Sequence, residues 1–278
     1  MRDLPPLVLA YHSISPGPPP LCLSTSELEG QLEALEGGGY RSLPLAVLVS
    51  ALEANAPLPP ARFGVTFDDG YRDFADAALP VLERRGIQAT LFVTAASDRR
   101  ELARGIPGAR LLDLEALGEL AQRGVEIGAH GLAHVDLTRL DDAALDRELG
   151  ASREILESRT GRKVELLAYP YGRFDRRVRA AAARRFRAAC TTQLAPVSAL
   201  ADCFAIPRID AYYLRSPRLR ARLAEGRAGA RLRARRWLRR LRGSEPRWPR
   251  GVWGRSRGIG SHRGEGGRGP SAEGGDVA

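Results

Sequence analysis

The chain has 278 residues, is 44% hydrophobic and carries a formal net charge of +10, which is enough apolar material for one large domain or two small ones. The charge is lopsided: from Arg215 onward there are 18 arginines against 5 acidic residues, leaving 25 basic and 28 acidic groups before it, so the basicity belongs to a tail and not to the body. Cys22, Cys190 and Cys203 form no Cys-x-x-Cys pair, which argues against a thiolate zinc site and a disulfide framework; no stretch approaches the roughly 18 uninterrupted apolar residues of a membrane span.

The first apolar run, Leu7–Tyr11, is too short for a signal-peptide core and predicts a strand, so a cytoplasmic location is expected. Further runs at Arg62–Phe67, Gln88–Thr94, Val125–Ala129 and Val164–Ala168 also predict strands, with weaker ones at Arg187–Cys190 and Cys203–Ile206. Between them, helical spacing predicts helices over Ser26–Glu36, Tyr71–Arg85, Asp113–Arg123, Asp141–Arg159 and Phe174–Arg185. Gly37, Gly86, Gly124 and Gly161 stand where helices should stop. Strands alternating with helices predict a parallel or mostly parallel α/β fold, open or closed into a barrel.

After a boundary placed near Arg215 the character changes. Residues 215–242 are Arg-rich, with Leu219, Leu223, Leu232, Trp237, Leu238 and Leu241 at helix-compatible spacing; residues 243–278 are Gly/Arg-rich without periodicity and are expected to be disordered. A basic helix with one apolar edge suits the surface of an anionic membrane, each cation contributing about 1 kcal/mol. Peripheral attachment at the inner membrane face is therefore one expectation for the tail. Nucleic acid is a less favoured partner, and a solvated tail without a partner is the plainest reading.

Two motifs carry chemistry. In Val65-Thr66-Phe67-Asp68-Asp69-Gly70, adjacent carboxylates end a strand, where each disfavours the other's ionisation unless a cation relieves the repulsion; the alternative is a helix cap. In Gly128-Ala129-His130-Gly131-Leu132-Ala133-His134, two histidines four apart follow another strand, so a helical turn or a tight loop can point both at one ion; the alternative is a pair of unrelated surface histidines. Carboxyl ends of parallel strands share one rim, so the two motifs can converge. Two imidazoles and one carboxylate suit zinc foremost, and cobalt, nickel or iron(II) as well.

Together, Thr66-Phe67-Asp68-Asp69-Gly70, His130-x-x-x-His134 and Tyr169-Pro170-Tyr171-Gly172 resemble the first three motifs of the polysaccharide deacetylases, the NodB-homology domain of carbohydrate esterase family 4. The wider resemblance runs from about Leu7 to Ile209, and it implies an irregular (β/α)7 barrel over residues 1–214. It makes Asp69, His130 and His134 the metal ligands and Asp68 the general base, acting on water activated by the divalent cation. Tyr171 would stabilise the oxyanion through its backbone N–H, with Pro170 and Tyr169 beside it on the substrate side; read alone, the same four residues are an ordinary turn. The chain resembles the branch with the poly-N-acetylglucosamine deacetylases, which begins with a Tyr-His strand. His12 is accordingly assigned as general acid, against the alternative of a hydrogen-bonded structural histidine.

One departure stands out. The family's third motif begins with an Arg that pairs with the base, and here that position is Ala168 or Tyr169. Arg208, at the end of a late strand, is the candidate to supply the guanidinium; the alternative is a surface arginine near the end of the domain. The activity implied is hydrolysis of an N-acetyl group on a saccharide. A hydrolase of a non-sugar amide on the same scaffold, and a catalytically inactive binding module using the Arg-rich tail, are the other two readings.

Overall fold

The computed structural model describes residues 4–96, 106, 108–229, 232, 234 and 235. The readings made for residues 243–278, and for Trp237, Leu238 and Leu241, lie outside the described residues. Ten strands occur among the described residues: β1 (Leu7–Tyr11), β2 (Ser13–Ile14), β3 (Cys22–Leu23), β4 (Arg41–Ser42), β5 (Arg62–Phe67), β6 (Ala89–Val93), β7 (Glu126–Ala129), β8 (Leu166–Ala168), β9 (Ala188–Cys190) and β10 (Ile209–Asp210). Eight form one curled sheet in the order β10-β1-β5-β6-β7-β8-β9, with β4 on the lower end of β5, and β2 pairs with β3 separately. Every pairing in the large sheet is parallel.

The two edges of that sheet meet through one irregular segment. Ile206 bridges Cys190 on β9, the Arg208 N–H donates to Gln193 O at 3.1 Å, and Ile209 pairs with Leu9 on β1. The result is the barrel-like α/β fold expected from the alternation.

Side chains alternate across a strand, and here the alternation separates two cores. Leu7, Leu9 and Tyr11 of β1, Phe63, Val65 and Phe67 of β5, and Ile127 and Ala129 of β7 pack with the helices in the larger cluster. Val8, Phe92, Leu166, Ala168, Ala188, Cys190 and Ile206 form a second cluster with Leu45, Leu48, Val49 and Leu52 of the helix α2 (Leu45–Glu53). Thr66 and Asp68 share the parity of Val8 rather than Leu9, as do Gly128 and His130. The barrel thus aims alternate residues inward and brings those after its carboxyl ends to one rim.

The other helices are α1 (Thr25–Gly37), α3 (Leu79–Arg84), α4 (Leu117–Gln122), α5 (Asp142–Thr160), α6 (Arg176–Ala183) and α7 (Pro217–Ala224). α1 begins with a capping box between Ser24 and Glu27, and α5 runs from an Asp141 cap to a left-handed Gly161. Three sequence expectations need correction. Cys203–Ile206 is not a strand: the Asp202 carboxylate accepts from the Phe204 N–H at 2.9 Å and folds these apolar residues into a turn. The helix expected over Tyr71–Arg85 opens with a five-residue π-turn at Phe74–Ala78 before α3.

The packed body also continues past Arg215. Leu219, Leu223 and Leu232 are 2%, 2% and 1% exposed and belong to the main core, so these three residues of the expected membrane-facing edge face the protein instead. Arg218 and Arg222 remain exposed beside them. Among the described residues no helix is long and apolar enough to cross a membrane.

Gly128 illustrates how tightly the interior is filled. A Cβ there would lie 2.5 and 2.6 Å from two ring carbons of the buried Phe92. Gly128→Ala is expected to lower stability by about 1–3 kcal/mol through overpacking, read as a lower midpoint in chemical denaturation with an unchanged slope.

Candidate active site

Asp68 follows β5 directly, its N–H donating to Tyr11 O at 2.9 Å. Its carboxylate is 3% exposed and meets the Arg208 guanidinium in a two-pronged ion pair, Nη1 to Oδ1 at 2.6 Å and Nη2 to Oδ2 at 2.7 Å. Arg208 is held in turn by Thr191 O at 3.1 Å and Thr66 Oγ1 at 3.0 Å, and lies 5.5 Å from the Phe92 ring centre. Burial pushes the Asp68 carboxyl up, but Arg208 and His130 outweigh it, so its pKa falls below the ordinary value. Asp68 is therefore a fixed, ionised acceptor. Arg208, expected from the sequence as its partner, is the fully buried cation beside it.

Asp69, His130 and His134 form the other half. Their ligand atoms all lie within 4.8 Å of one another, and both imidazole Nε2 atoms stand 3.4 Å from Asp69 Oδ1. That oxygen is buried without a hydrogen-bond partner, an arrangement that is costly in a closed core. His130 Nδ1 lies 2.8 Å from Ala168 O; donation to that carbonyl leaves Nε2 as the lone-pair atom facing Asp69. Burial, with His130 adding to it, pushes His134 down to about 4 against the pull of Asp69, so it is the neutral imidazole a metal requires. The buried orphan oxygen and the two convergent nitrogens fit a tetrahedral divalent site with an open position.

Backbone conformation at these residues is unusual. Asp69, His134 and Tyr171 have φ of 72°, 54° and 60°, making three of the five non-glycine residues with positive φ among the described residues. Such conformations cost about 1–3 kcal/mol each and persist only where surroundings impose them. Around Tyr171 the surroundings are explicit: its hydroxyl donates to His134 O at 3.2 Å, and its ring centre lies 4.6 Å from that of His134. A Cβ on the next residue, Gly172, would lie 2.2 Å from Thr192 Oγ1, so only glycine fits this close approach.

His12 follows β1 and is half-buried, near enough for its charge to favour ionisation of both Asp68 and Asp69. The segment after it is latched by a residue that sequence reasoning passed over. Asp73 accepts from Ser13 Oγ at 2.5 Å and from the Ile14 N–H at 3.0 Å. Pro170 is buried with the His130 loop, where a Cβ on Gly131 would lie 3.4 Å from its ring. Tyr169 requires a correction. Expected on the substrate side, it has the outward parity of Leu167: its ring stacks on Phe174 at 4.9 Å and its hydroxyl donates to Phe204 O at 3.1 Å. Its neighbour Ala168 reaches the site instead, through its carbonyl on His130.

Residues 55–186 match the family model described as polysaccharide deacetylase. Over those residues the chain resembles the polysaccharide deacetylases. YxkH of Bacillus subtilis, which bears the family's name, is 28% identical over 204 residues, covering 73% of this chain and 70% of that protein. Chitin deacetylase 1 of Cryptococcus neoformans var. grubii is 30% identical over 123 residues, 44% of this chain but 23% of that protein. Among solved structures, the Streptococcus pyogenes deacetylase PplD in complex with acetate is 25% identical with a TM-score of 0.65, covering 75% of this chain and 93% of that one. IcaB from Ammonifex degensii, 23% identical, shares the fold with a TM-score of 0.67 over 81% of this chain and 98% of that one.

The ion pair of Asp68 and Arg208 joins residues 140 positions apart. Arg208→Ala leaves a buried carboxylate without its counter-charge and is expected to cost about 3–5 kcal/mol. Arg208→Lys, which keeps the charge but loses the fork, should recover only part of it. Equilibrium denaturation near neutral pH measures both, and an Arg208→Ala chain as stable as the parent would contradict the pairing.

Proposed function

We propose that the chain is a metal-dependent deacetylase that hydrolyses N-acetyl groups on a saccharide. The observation that carries this reading is the buried Asp69 Oδ1, without a hydrogen-bond partner and 3.4 Å from two imidazole nitrogens, beside a second carboxylate with its own separate counter-charge. Two differently committed carboxylates at one rim suit a division between ligand and base. The substrate class comes from the company the chain keeps, which includes chitin deacetylases.

Asp69, His130 and His134 would hold the ion, with zinc the best match to the donor set and cobalt, nickel or iron(II) compatible with it. A divalent cation so held supplies Lewis acidity, polarising the acetyl carbonyl and acidifying a nearby water. As the water oxygen attacks the carbonyl carbon, Asp68 Oδ takes its proton; the carboxylate is kept ionised and oriented by Arg208. The Tyr171 backbone N–H donates to the oxygen on which negative charge develops. His12 gives a proton to the departing nitrogen as the C–N bond breaks, so the products are acetate and the free amino sugar. Arg208 acts through Asp68 and is a positioning residue.

The decisive assay follows acetate release from N-acetylglucosamine oligomers and from small non-sugar amides, before and after chelation and with Zn²⁺ or Co²⁺ restored. Activity on the oligomers that chelation abolishes and either metal restores is expected; activity indifferent to chelation would overturn metal dependence, and preference for the small amides would overturn the saccharide. Asp68→Asn should lower kcat by about 10²–10⁴-fold, the range for loss of a general base, while metal uptake by dialysis stays at the parent level. Arg208→Ala should lower turnover with metal uptake likewise retained, and unchanged turnover would remove Arg208 from the scheme.

A further inference from the structure

Helix α5 turns a stripe of Leu145, Glu148, Leu149, Ser152 and Leu156 toward the barrel. Four of these five suit a helix-sheet contact; Glu148 does not. It is 7% exposed, and no cation pairs with it among the described residues. Its carboxylate is turned to backbone: Oε1 accepts from the Ala133 N–H at 2.7 Å, and the Leu132 N–H nearby also favours the charged form against the burial that raises its pKa.

Those two N–H groups belong to the loop between His130 and His134. The loop is neither helix nor strand, and it contains two left-handed residues, Gly131 at φ 77° and His134 at φ 54°. Four of its other polar groups are satisfied from elsewhere: His130 N–H by Val93 O at 2.9 Å, Gly131 O by Ala95 N–H at 3.1 Å, Leu132 O by Ala96 N–H at 2.7 Å, and His134 O by the Tyr171 hydroxyl. Ala133 lies at the exposed tip of the loop, and without Glu148 its N–H would lose the acceptor that ties the loop to the helix. The loop would then turn toward water, carrying the His134 ring away from Asp69. Gly131 passes so close to the carboxylate that a Cβ on it would lie 3.1 Å from Oε1, so the acid and the loop are fitted to each other.

We infer that Glu148 is a positioning residue for the metal centre, acting as the acceptor that fixes the spacing of His130 and His134. This rests on the reading of Asp69, His130 and His134 as ligands. A side chain that orients ligands from behind typically contributes 10–100-fold in metal affinity, an effect separable from fold stability.

The test is Co²⁺ titration of the metal-free full chain, followed by visible absorption, with apo thermal unfolding measured alongside. Glu148→Met keeps the volume and removes the acceptor; it should weaken Co²⁺ binding by about 10–100-fold and alter the ligand-field bands. Glu148→Gln, whose amide oxygen still accepts, should recover most of both. Leu149→Ala, from the same buried stripe, should lower the apo melting temperature while leaving affinity and spectrum of the folded chain near the parent. Should Glu148→Met not fold, Glu148→Asp, one methylene short of the loop, serves in its place. Parental affinity and bands in the acceptor-less variant would overturn the role of Glu148, whatever its melting temperature. A parent chain that takes up no stoichiometric Co²⁺ would overturn the ligand set itself, and the positioning role with it.

Discussion

Two carboxylates, Asp68 and Asp69, stand side by side at the end of a buried strand, 3% and 2% exposed. Like charges so placed cannot both ionise cheaply without counter-charges, and the rest of the site follows from how the chain supplies them. Asp68 receives a guanidinium from the far end of the sequence. Asp69 receives two imidazole nitrogens and no hydrogen bond at Oδ1. One acid is thereby committed to a fixed organic cation, and the other is left facing a gap between lone pairs. A hydrophobic replacement of the Asp68–Arg208 pair would cost little or even stabilise the fold, so burying it serves the site rather than the core.

The barrel is the device that makes this affordable. Parallel strands deliver Asp68, His130 and His12 to one rim because each follows a strand end at inward parity, and the segment 206–210 that closes the ring carries Arg208 to Asp68. Three of the five non-glycine residues with positive φ among the described residues, Asp69, His134 and Tyr171, have roles in the proposed scheme. Around them, the Tyr171 hydroxyl, Ala168 O on β8 and the Glu148 carboxylate on α5 tie the histidine loop to its neighbours.

Much of this was legible in the sequence, for identifiable reasons. The apolar runs of β1, β5 and β6 are long enough to register, and the motifs sit immediately after strands. Arg208 was visible as an arginine at the end of a late apolar stretch once the third motif was seen to lack one. What escaped is what tertiary contact decides. β10 is two residues long, below any periodic signal, and the Asp202 turn hid the true end of Cys203–Ile206. α2 starts at Pro44 without a side-chain cap, so nothing announced it. Tyr169 was grouped with Tyr171 by proximity in the chain, although adjacent residues near a strand face opposite sides. The leucines after Arg215 fit an amphipathic helix, but periodicity cannot say whether lipid or the protein's own core covers the apolar face. Glu148 looked like one acid among many on a charged helix until its contact with the histidine loop gave it a use.

The central claim is that Asp69, His130 and His134 together hold one divalent ion. Anomalous diffraction at the zinc edge from crystals of the full chain grown with Zn²⁺ tests it without reference to turnover. A single peak is predicted about 2.0–2.2 Å from Nε2 of both histidines and from an Asp69 carboxylate oxygen. A peak elsewhere, or none between these three side chains, would contradict it.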